Sequence, residues 1–195
     1  MRSDASANRA ALVSAAIDLL ADRGPAVPLS MIAEQAEVGI ATLYRRFPTR
    51  ESLLKGVILE LRDRIVDLVE DYLPRLHSDP EDSWNELVHA LAAMRPGAIG
   101  QALASTDLAR SSEAIRLRSD LQRALVEAVA LAQDAGVVRP DVTAARFLVG
   151  LAVVTRPRPT LRGESVEPEI EAQLVGHLGW LTDVYVRGLR PDPAP

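Results

Sequence analysis

The chain has 195 residues and no cysteine. Disulfides and thiolate metal sites are therefore excluded. Aromatic residues make up only 4%, so any ligand cavity must have mostly aliphatic walls and suit a moderately apolar small molecule. No apolar run is long enough to span a bilayer. The N-terminus, "MRSDASANRAALVSAAIDLL", carries Asp4 and Asp18 and shows no cleavage site. It reads as mature protein, expected in the cytoplasm and with no membrane partner. Period-2 runs rich in Val, Ile and Thr are missing, so strands are not expected. There is no Gly-rich phosphate loop and no nucleophile elbow. His77, His89 and His177 lack metal-ligand spacing such as i, i+4. Carboxylates are many but follow the solvent faces of helices. We therefore expect no enzyme, no metal and no cofactor.

What is present is a soluble composition, 48% apolar and 25% charged. Its length suffices to bury a core without staples. The formal net charge is −5 but unevenly spread. Residues 1–56 hold seven basic groups and six acids, whereas the remainder holds 15 basic and 21 acidic groups. A near-neutral N-terminal part with an arginine cluster suits a polyanion; the acidic remainder does not.

Helical periodicity runs nearly throughout. Leu12, Ala16, Leu19, Leu20 and Arg23 share a face until Gly24-Pro25. "LSMIAEQA" follows Pro28 as a short helix. Ile40 to Arg46 makes another, stopped by Pro48. Thr49 can cap a long helix striped by Leu54, Ile58, Leu61, Ile65, Leu68 and Tyr72, expected to end at Pro74. Further helices are expected from Asp82 or Ser83 through Met94, over 98–108, over 111–134, after a cap at Asp141, and along Ile170, Leu174, Leu178, Leu181 and Tyr185. "RPRPTLRGESVEP" at 156–168 reads as a loop and "RPDPAP" as a disordered tail. The fold class is thus all-α with about nine helices.

The two short helices around a three-residue turn, residues 29–46, fit a helix-turn-helix. Ala33 is small where the helices must approach. Ile32, Ala36, Val38 and Leu43 can form a small core with Leu12, Leu19 and Leu20. The segment "GIATLYRRFPTR" carries three arginines and no acid. Its small first residues would let a backbone approach a major groove. Thr42, Tyr44, Arg46 and Arg50 could reach phosphates, and Arg45 a base edge or a phosphate. Tyr44 could instead be core, and Arg45 and Arg46 a solvated face. Phe47 is assigned to the core.

These residues carry a resemblance. "IAEQAEVGIATLYRRFPTRESLL" resembles the DNA-binding signature of the TetR family of transcriptional regulators. Ile32, Ala33, Ala36, Val38, Thr42, Leu43, Tyr44, Phe47 and Leu53 match its pattern in register. The resemblance covers residues 9–60; "AGVVRPDVTA" is a connector of a kind common in the family. The departures are local. The turn glycine of the pattern is Glu37, a costly left-handed position for a residue other than glycine, with Gly39 expected to relieve it. The serine that opens the second short helix is Gly39, the glycine within it is Ala41, and the lysine after the proline turn is Arg50.

The resemblance implies residues 1–52 as a helix-turn-helix DNA-binding domain and 53–190 as a helical ligand-binding and dimerisation domain, with 191–195 a tail. Thr42, Tyr44 and Arg50 would touch the sugar-phosphate backbone, and Ile40, Ala41, Arg45 and Arg46 would face the groove. The implied partners are double-stranded DNA bearing a palindromic operator, a second copy of the chain, and an unknown small-molecule effector. The last two helices would build the homodimer, with Leu174, Leu178, Leu181 and Val184 supplying apolar surface and Gly150, Gly176 and Gly179 permitting close approach. These stripes could alternatively close the monomer's own core. Trp84, His89, Met94, Gln101, Phe147 and Trp180 are candidates for a ligand pocket, with the core or an ordinary hydrogen bond as the plain alternative. The implied function is a sequence-specific repressor released by its ligand. A helical small-molecule-binding protein without DNA binding is the competing reading.

Overall fold

The computed structural model describes residues 2–104, 106–156 and 176–191. Among them are nine α-helices and one 3₁₀ turn, and no strand. The helices are α1 (Arg2–Arg23), α2 (Leu29–Gln35), α3 (Ile40–Arg46), α4 (Arg50–Ser78), α5 (Pro80–Ala93), α6 (Pro96–Ala104), α7 (Ser112–Asp134), α8 (Ala144–Val154) and α9 (His177–Gly188). The 3₁₀ turn is Asp107–Arg110. The chain divides into two compact units, one of residues 1–66 with 98–121, the other of 67–97 with 122–195.

In the first unit, Leu12, Ala16, Leu19 and Leu20 of α1 are buried together with Ile32 and Ala33 of α2 and Leu43 of α3. Leu53, Leu54, Val57 and Ile58 of α4 are buried as well. Ala36 and Val38, expected in the same small core, are only half-buried. The α4 start is set by a reciprocal cap. The Thr49 hydroxyl accepts from the Ser52 N–H at 3.1 Å, and the Ser52 hydroxyl accepts from the Thr49 N–H at 3.2 Å. Serine thus closes the loop that glutamate usually closes. Lys55 and Arg62 of α4 pair with Glu113 (3.9 Å) and Asp120 (3.7 Å) of α7.

The second unit is built around Trp84, Leu87, Val88 and Leu91 of α5, Leu125 and Val129 of α7, and Phe147 and Leu151 of α8. Helix α9 packs on α5 and α8. The buried Thr155 hydroxyl donates to the Leu151 carbonyl (2.7 Å) and accepts from the Gly97 N–H (2.8 Å), tying the start of α6 to the end of α8. A Cβ on Gly97 would lie 1.9 Å from the Ala152 carbonyl oxygen, so only glycine fits.

Several boundaries differ from the sequence expectation. Pro74 lies inside α4, which continues to Ser78. Proline removes one helical N–H bond, but the turn beyond it is retained by the Asp79 N–H to Arg75 carbonyl bond (2.8 Å). Helix α5 starts at Pro80, which suits a first helical position, rather than at Asp82 or Ser83. The expected 98–108 helix splits into α6 and the 3₁₀ turn. The cap of α8 is Thr143, whose hydroxyl accepts from the Arg146 N–H at 3.1 Å. Asp141 instead binds Arg139 (2.6 Å) and Arg146 (2.9 Å), and the Arg139 guanidinium holds its carboxyl below the usual range. The expected loop at 156–168 and tail at 191–195 lie almost wholly outside the described residues, as does the first part of the expected last helix.

Candidate nucleic-acid interface

Ile40, Leu43, Tyr44 and Phe47 follow the spacing of a single helical stripe, but only one edge of that stripe is covered. Leu43 and Phe47, four residues apart, are buried at 0% and 2% exposure. Ile40 and Tyr44, also four apart, are exposed at 44% and 51%. Ala41, Arg45 and Arg46 are exposed beside them. Burying Leu43 and Phe47 against the small core leaves the adjoining Ile40–Tyr44 edge and the arginine side of this seven-residue helix outward. The resulting surface has large apolar groups, two guanidiniums and no acid. Tyr44 therefore does not belong to the core, and Phe47 does.

Side-chain contacts order this surface. Arg45 donates to the Thr42 hydroxyl oxygen at 3.1 Å. The hydroxyl then keeps its own proton free for an acceptor such as a phosphate. Arg9 of α1, which the sequence reading did not single out, lies over the Phe47 ring at 5.1 Å. Its position three residues before Leu12 was the only signal.

The connection from α2 to α3 is four residues, 36–39, and opens with a helix stop. The Val38 N–H binds the Ala33 carbonyl at 2.9 Å and the Glu37 N–H binds the Glu34 carbonyl at 3.0 Å. This is the Schellman pattern, in which the first residue past the cap is left-handed and usually glycine. Here it is Glu37, at φ 53. Gly39 does not relieve it. Gly39 sits at φ −57 and ψ 137 as the residue before α3, a conformation open to any residue.

Arg50 is placed differently from the other site residues. It is half-buried, and its two terminal nitrogens donate to the Val27 and Pro25 carbonyls, both at 2.6 Å.

Residues 12–57 match the family model described as bacterial regulatory proteins of the tetR family, and residues 79–191 match that of the SbtR-like transcriptional regulator C-terminal domain. The chain belongs to the TetR family. It is a transcriptional regulator with a DNA-binding domain at its N-terminus. A TetR transcription regulatory protein from Mycobacterium vanbaalenii is 29% identical, with 97% of this chain and 99% of that one covered and a TM-score of 0.62. The TetR transcriptional regulator SCO0520 from Streptomyces coelicolor is 26% identical over 95% of this chain and 99% of its own, with a TM-score of 0.64. The ketosteroid transcriptional regulator KstR2 of Mycobacterium tuberculosis shares the fold at 19% identity, with 94% and 95% covered and a TM-score of 0.57. No curated protein matches the chain by sequence. No helix of the described residues is long and apolar enough to cross a membrane.

The candidates in the larger domain of this TetR-family chain scatter. Trp84 and Phe147 are buried with ring centroids 5.2 Å apart. Tyr185 continues the stack 5.9 Å from Phe147, and its hydroxyl donates to the Phe147 carbonyl at 2.7 Å. Burial pushes the Tyr185 phenol well above its ordinary range. His89 is half-buried against Asp183 at 3.0 Å. Met94 is half-buried just past α5, and Gln101 is exposed in the first unit. The Trp84 indole N–H is buried without a hydrogen-bond partner.

Of the apolar positions expected at a dimer contact, Leu178 and Leu181 are half-buried, Val184 is exposed, and Leu174 lies outside the described residues. Val149 (67%), Val153 and Trp180 (57%) are also exposed; they lie on the two helices expected at that contact, though the sequence singled out none of them for it. Gly150 serves the monomer. A Cβ there would meet the Tyr185 ring at 2.6 Å, whereas one on Gly176 or Gly179 would meet nothing.

Proposed function

We propose that this TetR-family regulator is a sequence-specific repressor, a homodimer released from a palindromic operator by a small-molecule ligand. The observation that carries DNA recognition is the exposed, acid-free face of α3. On this reading Ile40, Ala41, Arg45 and Arg46 face the major groove, while Thr42 and Tyr44 approach the backbone. Two copies would read half-sites about one helical turn apart. Residues 1–52 would form the DNA-binding domain and 53–190 the ligand-binding and dimerisation domain. The exposed apolar pairs Val149–Val153 on α8 and Trp180–Val184 on α9 support self-association. Ligand release requires only that the ligand favour one of two dimer shapes.

The test is fluorescence anisotropy with the chain's own upstream DNA across a salt series. Specific binding should weaken steeply with salt. Arg45→Ala and Arg46→Ala should each lose about tenfold or more in affinity for the specific duplex, consistent with ~1–3 kcal/mol for a good base contact. Folding and oligomeric state should not change. Wild-type affinity in both variants would refute the groove assignment, and no binding to any genomic duplex at low salt would refute the repressor reading.

A further inference from the structure

Arg50 stands where the family pattern has a lysine and where a phosphate contact is expected. Its geometry describes another task. The loop from Gly24 to Pro28 joins α1 to α2. It carries two prolines, which have no N–H, and Gly24 at φ 76. The residue before α2 is Pro28, and it makes no side-chain cap. The first turn of α2 is closed by a long Ile32 N–H to Pro28 carbonyl bond of 3.4 Å, with no side-chain cap to reinforce it. The Pro25 and Val27 carbonyls point instead at one guanidinium, each receiving a charge-assisted bond at 2.6 Å. Arg50 is itself the first residue of α4, held there by the Thr49–Ser52 cap. It thus joins the start of α4 to the start of α2, and α2 leads through the Glu37 turn into α3.

We propose that Arg50 is a positioning residue for DNA recognition: its forked guanidinium fixes the α1–α2 loop and so sets the pose of α3, rather than neutralising a phosphate. The planar fork meets the two carbonyls with two separate nitrogens. A lysine ammonium has three donors but presents them from a single nitrogen, so it would lengthen or lose one of the two bonds in this geometry. Arg50→Lys is therefore not a conservative change in this chain. The inference rests on the DNA-binding reading above for its functional consequence, but its structural part does not.

The experiment uses the full chain with Arg50→Lys and Arg50→Ala. Hydrogen exchange of the Leu29–Gln35 amides is measured without DNA, and affinity for a genomic duplex that the wild type shifts is measured across a salt series. Both variants should exchange faster over Leu29–Gln35. Both should lose about tenfold or more in affinity, and the slope of log affinity against log salt should stay at the wild-type value. Lysine should rescue little. The proposal is overturned if Arg50→Lys keeps wild-type protection and affinity while Arg50→Ala lowers the slope by about one, the signature of a single lost phosphate contact. Should the alanine variant not fold, the lysine variant alone decides, because a phosphate contact would survive it and the fork would not. If the wild type shifts no duplex, only the DNA-binding reading fails, and the exchange measurement still decides the clamp.

Discussion

Glu37→Gly should stabilise the chain, and the amount follows from one dihedral angle. Glu37 holds φ 53 in the turn between α2 and α3. For an L-residue with a Cβ this region costs roughly 1–2 kcal/mol relative to the right-handed one. Glycine removes that cost but brings back about 0.4–1 kcal/mol through the greater freedom of its unfolded chain. The net gain should be about 0.5–1 kcal/mol. For a chain of this size that corresponds to a rise of roughly 1–4 °C in the thermal midpoint. The Schellman bonds of Val38 and Glu37 are backbone bonds and survive the change. Glu37→Gln is the control, because it removes the same charge and keeps the strain. It should fall within about ±0.5 kcal/mol of wild type. Thermal unfolding by circular dichroism at matched concentration reads both. If the glycine variant is no more stable than the glutamine variant, the strain is not where the turn geometry puts it.

Two further substitutions probe glycines with opposite roles. Gly39→Ser should raise stability by roughly 0.5 kcal/mol or more, because a Cβ there meets nothing within 4 Å and α3 lacks a side-chain cap; a lowered urea midpoint would refute this. Gly150→Ala should destabilise by about 1–3 kcal/mol, since its Cβ would press on the Tyr185 ring at 2.6 Å. In that variant Tyr185→Leu should recover part of the loss. A double variant showing simple additivity would count against the contact.

Much of the interface was legible because it is local. Ile40, Leu43, Tyr44 and Phe47 are spaced to lie along one stripe of a helix, and the acid-free run around them is visible in the sequence alone. The left-handed turn at Glu37 was readable from the resemblance, whose pattern has its turn glycine at that place. What the pattern could not decide was whether Tyr44 belonged inside. That depended on how much of α3 the small core covers, and the structure shows it covers only the Leu43 side. Helix ends were less legible. Pro74 reads as a stop, yet a proline late in a long helix costs one bond and α4 runs on by another turn.

The features that escaped sequence reading are those in which one side chain answers a backbone group far along the chain. Arg50 reaches carbonyls 23 and 25 residues upstream. Thr155 meets Gly97 across 58 residues, and the Tyr185 hydroxyl meets Phe147 across 38. No periodicity encodes such pairs, because neither partner belongs to a repeating face. They also invert roles that residue type suggests. An arginine in a basic segment reads as a phosphate ligand, and a glycine in an apolar helix reads as room for a second subunit. In the folded chain the arginine satisfies two carbonyls of a proline-bearing loop, and Gly150 makes room for a tyrosine of the same chain. The alternative to each contact is costly: an unsatisfied carbonyl away from water, or a Cβ forced into a ring. Such positions should therefore tolerate substitution less well than the exposed arginines of α3, whose removal should leave the fold intact.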